Sequence, residues 1–157
     1  MSGASDRSSE RSGTADAEGA ATMEWTKPLP KPDFVNAEYW QAAADGRLLI
    51  QECPSCGHRQ WYPRALCTAC AADPEWLECS GRGTVHTFTI IRQFGMKPFR
   101  DALPYVIAMI DLEEGPRIMG DIPDIDVDTV TIGMPVEVFF TKAADDIGIP
   151  RWRPATG

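Results

Sequence analysis

The chain is poor in what a self-sufficient enzyme or a membrane protein carries. No run of about 18 apolar residues occurs, so no candidate membrane-spanning helix is present. The N-terminal residues lack an apolar h-region, and a secretory signal is not expected. Only two histidines, His58 and His86, are available as imidazole bases. Gly-x-Ser-x-Gly, Gly-x-Gly-x-x-Gly and phosphate-loop patterns are missing. Basic residues are outnumbered, 15 Lys+Arg against 23 Asp+Glu, and the net charge of −8 repels polyphosphate unless a local basic patch overrides it. The first 22 residues are Ser, Thr, Gly, Ala and charged types with no apolar anchor beyond Met1, so residues 1–24 are predicted to be a disordered tail. About 130 of the 157 residues remain to fold, enough for one small domain or a stapled pair of modules.

Beyond the tail the chain is patterned. Lys27-Pro28-Leu29-Pro30-Lys31-Pro32 reads as an extended linker, so 1–32 is taken as tail and linker. Asp33 is placed to cap a helix, the apolar spacing of Phe34, Ala37, Tyr39, Trp40 and Ala44 predicts one over about 34–45, and Gly46 stops it. With three aromatics in so short a segment, 33–46 reads as a docking helix. From Arg47 the period becomes that of strands, with β-rich runs at 48–52, 59–63 and 76–78, then at 84–92, 105–112, 117–122, 136–141 and, more weakly, 149–153. The last five, separated by Gly and Pro without helices, predict a small closed or partly closed β-barrel. Residues 105–110 are apolar on both faces, as in a central strand.

Cys53-x-x-Cys56 and Cys67-x-x-Cys70 are the strongest signal. Two residues between thiolates let a tight turn aim both sulfurs at one point, and two such turns can enclose a zinc ion at about 2.3 Å. Pro54 fixes the first turn, and Gly57 admits the positive φ it wants. Disulfides and a rubredoxin-like iron site are the rival readings; the absence of export signals favours a metal. A complete thiolate shell leaves no open position, so a zinc ion here is structural, holding together a ribbon of about 30 residues that cannot bury enough surface alone. Cys79 has no partner at this spacing and reads as a buried small residue. His58 reads as a solvated strand residue and His86 as a structural histidine rather than a base.

In order, three groups of residues carry a resemblance. The first is Leu48-Leu49-Ile50-Gln51-Glu52-Cys53-Pro54-Ser55-Cys56-Gly57, with Tyr62-Pro63-Arg64 and Cys67-Thr68-Ala69-Cys70. The second is Trp76, Ser80-Gly81-Arg82-Gly83-Thr84-Val85 and Thr87-Phe88-Thr89. The third is Pro104-Tyr105-Val106-Ile107-Ala108, Leu112-Glu113-Glu114-Gly115-Pro116-Arg117 and Ile132-Gly133-Met134-Pro135-Val136-Glu137-Val138. The chain resembles the zinc-ribbon OB-fold proteins once called domain of unknown function 35, over about residues 34–154. The resemblance implies a mainly β fold: an N-terminal helix, a rubredoxin-like zinc ribbon over 47–78 and a five-stranded OB-fold barrel over 79–157. It implies a cytoplasmic accessory subunit that binds and stabilises a thiolase-superfamily, lipid-transfer-protein-like partner, with a two-plus-two heterotetramer expected. The partner would hold the acyl-CoA chemistry: retro-aldol cleavage in steroid side-chain degradation, thiolysis or condensation. This subunit would help form the CoA-substrate channel. The four cysteines carry over as zinc ligands; no catalytic residue does.

Many OB-folds bind nucleic acid, and such a module is the alternative function. Residues 80–157 hold eight basic and eleven acidic side chains, a balance of −3 and the wrong sign for a nucleic-acid groove. The exception is Arg92-Gln93-Phe94-Gly95-Met96-Lys97-Pro98-Phe99-Arg100, a loop with three cations and two Phe. Arg92, Phe94, Lys97, Phe99 and Arg100, together with Arg64, are candidate contacts for CoA phosphates or the partner. Trp25, Phe34, Tyr39 and Trp40 form an aromatic N-terminal patch, read as a docking surface or as cover for the ribbon.

Overall fold

The computed structural model describes residues 25–93 and 95–156; the expected disordered tail and Phe94 lie outside them. One helix and two antiparallel sheets make up the fold. Helix α1 is Ala37–Ala44. The first sheet has the order β2-β1-β3, from β1 Leu49–Glu52, β2 Arg59–Gln60 and β3 Glu75–Glu78. The second comprises β4 Arg82–Ile91, β5 Tyr105–Leu112, β6 Arg117–Ile122, β7 Pro135–Ala144 and β8 Ile147–Pro154, in the order β6-β5-β4-β7-β8. A helix, a ribbon sheet and a five-stranded barrel sheet are the architecture expected from sequence.

Local chemistry explains the ends of α1. The Asp33 carboxylate accepts from the N–H groups of Val35 and Asn36 at 2.9 and 3.0 Å, and the Asn36 side chain accepts from the Asp33 N–H at 2.9 Å. This exchange occupies the turn at 34–36, so the α-helix begins three residues later than the aromatic spacing suggests. At the far end Gly46 has φ +80°; its N–H bonds to the Ala43 carbonyl and that of Arg47 to Ala42, the paired closure of a left-handed stop. The buried face of α1 is Tyr39, Ala42 and Ala43. The small alanines bring the helix backbone directly onto Gly148 of β8.

The barrel curls at two irregularities, between Val85 and Thr87 in β4 and between Lys142 and Ala144 in β7. The outer strands β6 and β8 meet through side chains. Arg151 donates from Nε to both Asp121 oxygens, at 3.1 and 3.0 Å, and from Nη2 at 2.6 Å. Beside this pair the fully buried Trp152 ring fills the space left by Gly120. β5 pairs on both edges but departs from the two-sided apolar reading. Val106, Ala108, Ile110 and Leu112 enter the core, whereas Tyr105, Ile107 and Met109 face outward half-buried. Ribbon and barrel share one core, in which Leu48, Leu49 and Ile50 join Val85, Val106 and Ile110. Their junction is stitched by polar bonds: Cys79 N–H to Leu48 O at 2.8 Å, Ser80 N–H to a Glu114 carboxylate oxygen at 2.7 Å, and the Arg59 guanidinium to Glu114 O at 3.1 Å.

Gly148 tests the seating of the helix. A Cβ there would sit inside the Ala43–Ala44 backbone, which has no flexible end to move. Gly148→Ala is expected to destabilise the fold by about 3 kcal/mol, measured by thermal or denaturant unfolding.

Candidate metal centre and ligand-facing groove

The two cysteine turns are built alike. In the first, the Gly57 N–H bonds to Cys53 O at 2.7 Å and the Cys53 N–H to His58 O at 2.8 Å; in the second, Ala71 N–H bonds to Cys67 O at 2.9 Å and Cys67 N–H to Ala72 O at 2.8 Å. Each needs a left-handed residue after its second cysteine. Gly57 provides it at φ +70°, as the sequence suggests, and Ala71 provides it at φ +61° despite its side chain. The four Sγ atoms lie within 4.8 Å of one another, with Cys53–Cys70 at 3.5 Å and Cys56–Cys67 at 3.7 Å. A tetrahedron with about 2.3 Å metal–sulfur bonds has edges of about 3.8 Å, so the donor set fits zinc and fills its coordination. Cys53 and Cys67 are buried, Cys56 and Cys70 exposed.

Two glutamines, which no sequence pattern singles out, position the second turn. Buried Gln60 donates to Gln51 Oε1 at 2.8 Å and to Leu66 O at 3.3 Å, and its own oxygen accepts from the Thr68 N–H at 2.8 Å. Gln51 binds the backbone of Arg64 in both directions, donating to its carbonyl at 3.0 Å and accepting from its N–H at 2.8 Å. The segment between β2 and Cys67 is thereby pinned, and it presents Trp61 and Tyr62 toward α1. There the rings of Tyr39, Trp40, Trp61 and Tyr62 stack edge-on or tilted, with centroids 4.9–6.5 Å apart. His58 bridges the turns, its Nε2 at 3.0 Å from Thr68 Oγ1.

These rings form one wall of a groove of about 350 Å³. The other wall is the outward face of β5 and β6, chiefly Ile107 and Met119, with Phe99 of the β4–β5 loop, and Trp25, Lys27 and Pro28 lie along it. A more polar cavity of about 460 Å³ continues from it, sharing Trp25, Lys27, Tyr105 and Asp121 and adding Asp101, Asp124 and Arg151. The Lys27 ammonium sits 5.4 and 5.6 Å from the ring centres of Trp25 and Phe99. Burial lowers its pKa, Asp121 opposes the shift and Arg151 reinforces it.

The candidate contact residues separate in space. Phe99 enters the groove, Arg92 pairs with Asp128 at 3.2 Å, Lys97 pairs with Asp101 at 3.8 Å, and Arg100 opens a single 3₁₀ turn. Arg64 lines a different cleft, with Phe34 and Trp76. Phe34 is 93% exposed, and Leu66 is exposed on the same ribbon segment as Arg64. Burial pushes the Cys79 thiol up to about 12, aided by the Glu114 carboxylate beside it. His86 stands at the β4 irregularity, its Nδ1 3.0 Å from Asp111, which Arg117 also binds at 2.6 Å.

Residues 40–75 match the family described as the ChsH2 rubredoxin-like zinc ribbon domain, and residues 76–141 the ChsH2 C-terminal OB-fold domain. A DUF35 domain-containing scaffold protein of Methanocaldococcus jannaschii is 38% identical over 101 residues, 63% of this chain and 71% of that protein. The chain belongs to the DUF35 family. A DUF35 component of a solved structure described as the Ltp2-ChsH2(DUF35) aldolase is 31% identical, with a TM-score of 0.73 over 81% of this chain and 99% of that one. A probable enoyl-CoA hydratase alpha subunit of Thermomonospora curvata is 32% identical over 130 residues. The 3-oxo-4,17-pregnadiene-20-carboxyl-CoA hydratase alpha subunit of Mycobacterium tuberculosis is 31% identical over 125. The matches take in 82% and 80% of this chain but only 40% and 39% of those longer proteins. Among the described residues, no helix is long and apolar enough to cross a membrane.

For this DUF35 chain the ribbon zinc has a direct test. Cys70→Ser removes one of four ligands, about a quarter of the ~10–16 kcal/mol seen in small zinc peptides. Chelator competition should show zinc retention weaker by about a hundredfold, with the Trp61 environment lost as metal leaves.

Proposed function

We propose that this chain is the accessory subunit of a heteromeric enzyme that cleaves a carbon–carbon bond in an acyl-CoA, as an aldolase, with a thiolase-fold partner holding the reacting groups. The carrying observation is the match to virtually the whole DUF35 component of a two-component aldolase, at 31% identity and a TM-score of 0.73. On this reading the chain stabilises the partner and forms one side of the CoA-substrate channel, in a cytoplasmic two-plus-two assembly. The steroid-type acyl group finds support in the name of the mycobacterial relative. Arg64 with the exposed Phe34 and Leu66 supplies a surface of the kind buried at interfaces, an apolar anchor rimmed by a cation. Arg92, Lys97 and Arg100 would meet the partner or the CoA phosphates at the edge of the channel; the same role is proposed for Phe94 and Phe99. The two hydratase relatives favour a second reading, in which a chain of this kind serves a hydratase rather than an aldolase.

Co-expression with thiolase-fold proteins encoded nearby decides. The expected result is co-elution of zinc-loaded complex and cleavage of a β-hydroxyacyl-CoA into a ketone and a shorter acyl-CoA. A partner equally soluble and active without this chain would overturn the reading, and hydration of an enoyl-CoA in its place would select the second. Phe34→Ala should weaken association by about 2 kcal/mol, read by titration calorimetry, with the zinc content unchanged.

A further inference from the structure

The strap Trp25–Pro28 lies along the aromatic groove and lines the adjoining polar cavity as well. Among the described residues, no hydrogen bond joins its backbone to another element. Side-chain packing and the Lys27 ammonium over the Trp25 and Phe99 rings hold it in place. Its seat leaves polar groups unmatched. The indole N–H groups of Trp25 and Trp40, both lining this groove, are buried without an acceptor. Burial also disfavours the charged form of Lys27. Unpaired buried donors and a desolvated ammonium each raise the free energy of the covered state. A segment with no backbone tether and several unmet polar needs is one that a better-suited occupant can replace.

We propose that the aromatic groove seats the uncharged acyl end of a thioester, and that Trp25–Pro28 is its displaceable cover. The identity of this occupant rests on the acyl-CoA reading above and on the chemistry of the lining. With the strap lifted, Lys27 leaves, and the remaining acid in the groove, Asp121, is neutralised by Arg151 at 2.6 Å. A phosphate or carboxylate therefore meets no free cation there. Hydrocarbon meets Trp61, Tyr62, Ile107 and Met119, and a volume of about 350 Å³ lies in the range of small-ligand sites. The Trp40 N–H supplies a donor for a thioester or amide carbonyl. The phosphates of a bound CoA would then stay outside, toward Lys97 and Arg100.

The test uses octanoyl-pantetheine, a thioester with no phosphate, on the full zinc-loaded chain. Hydroxyl-radical footprinting followed by mass spectrometry should show side-chain oxidation rising at Trp25 and falling at Trp61, Tyr62 and Met119. Trp25→Ala should bind this probe about fivefold more tightly, because loss of a competing cover enlarges the binding-competent fraction. Trp40→Phe, which keeps a ring but removes the donor, should bind about fivefold more weakly. Adenosine 3′,5′-bisphosphate should leave the footprint unchanged. Unchanged or lower oxidation at Trp25, no tighter binding by Trp25→Ala, or the same footprint with the bisphosphate would each overturn the proposal. If Trp25→Ala fails to fold, the wild-type footprint alone decides. Co-elution with a thiolase-fold partner is measured separately. A complex without strap release sinks only this inference; strap release without a complex sinks only the subunit reading.

Discussion

Four sulfur atoms within 4.8 Å of one another are the constraint on which the rest of the ribbon depends. As thiolates they repel, and only a cation at their centre makes the arrangement favourable. The consequence reaches beyond the metal. Cys67 fixes the second turn, Thr68 beside it is held by Gln60, and Gln60 with Gln51 pins the segment that presents Trp61 and Tyr62. Those rings meet Tyr39 of the helix and make one wall of the groove. The zinc ion touches no ligand there, yet the wall exists because the metal holds the turn.

The opposite wall depends on how the barrel closes. β6 and β8 are edge strands, and an edge left open would offer unpaired backbone to other chains. The chain closes the gap with a nearly buried Arg151–Asp121 pair and with Trp152 filling the place of a side chain at position 120. The geometry of the pair is bidentate, so it fixes register as well as proximity. Replacing one partner alone would strand a charge beside the groove, which makes the pair a poor place for tolerated change. The same closure leaves the outward face of β5 as a groove wall rather than a second core face.

Local signals made much of the fold legible in the sequence. The Cys-x-x-Cys turns, Gly57 and Gly46 each state a backbone requirement in the residue itself, and they located the ribbon and the helix stop. Asp33 was legible as a cap, but its exchange with Asn36 delayed the helix, because a short side chain can satisfy a turn as readily as a helix end. Gln51 and Gln60 were illegible, since a glutamine in a strand reads as exposed until the strand's neighbours are known. Asp121 and Arg151 stand thirty residues apart, and nothing near either names the other. Ala71 carries no mark of a left-handed conformation; the repeated cysteine turn alone demands it. Ile107 and Met119 read as ordinary strand residues, and only the placement of Trp61 and Tyr62 opposite them makes a groove.

Burial also decides which groups at the junction can carry charge. Burial holds the Cys79 thiol protonated, up to about 12, and pushes the Tyr39 hydroxyl above its ordinary range. Neither group offers an anion near neutral pH, although both stand close to the junction of ribbon, helix and barrel. His86 Nδ1 contacts both Asp111 and Arg117 on the outer surface, where Arg117 holds that carboxylate below its usual range. The side chains that face the groove are chiefly rings, prolines, Ile107, Ile149 and Met119, with Lys27 and with Asp121, which Arg151 pairs from behind it. Such a surface can exclude water and select shape, since Arg151 holds its carboxylate and burial disfavours the charge on its ammonium. If the chain serves as the proposed accessory subunit, the partner supplies the base and acid for cleavage, and the exposed Phe34 and Leu66 on the ribbon offer that partner a place to dock.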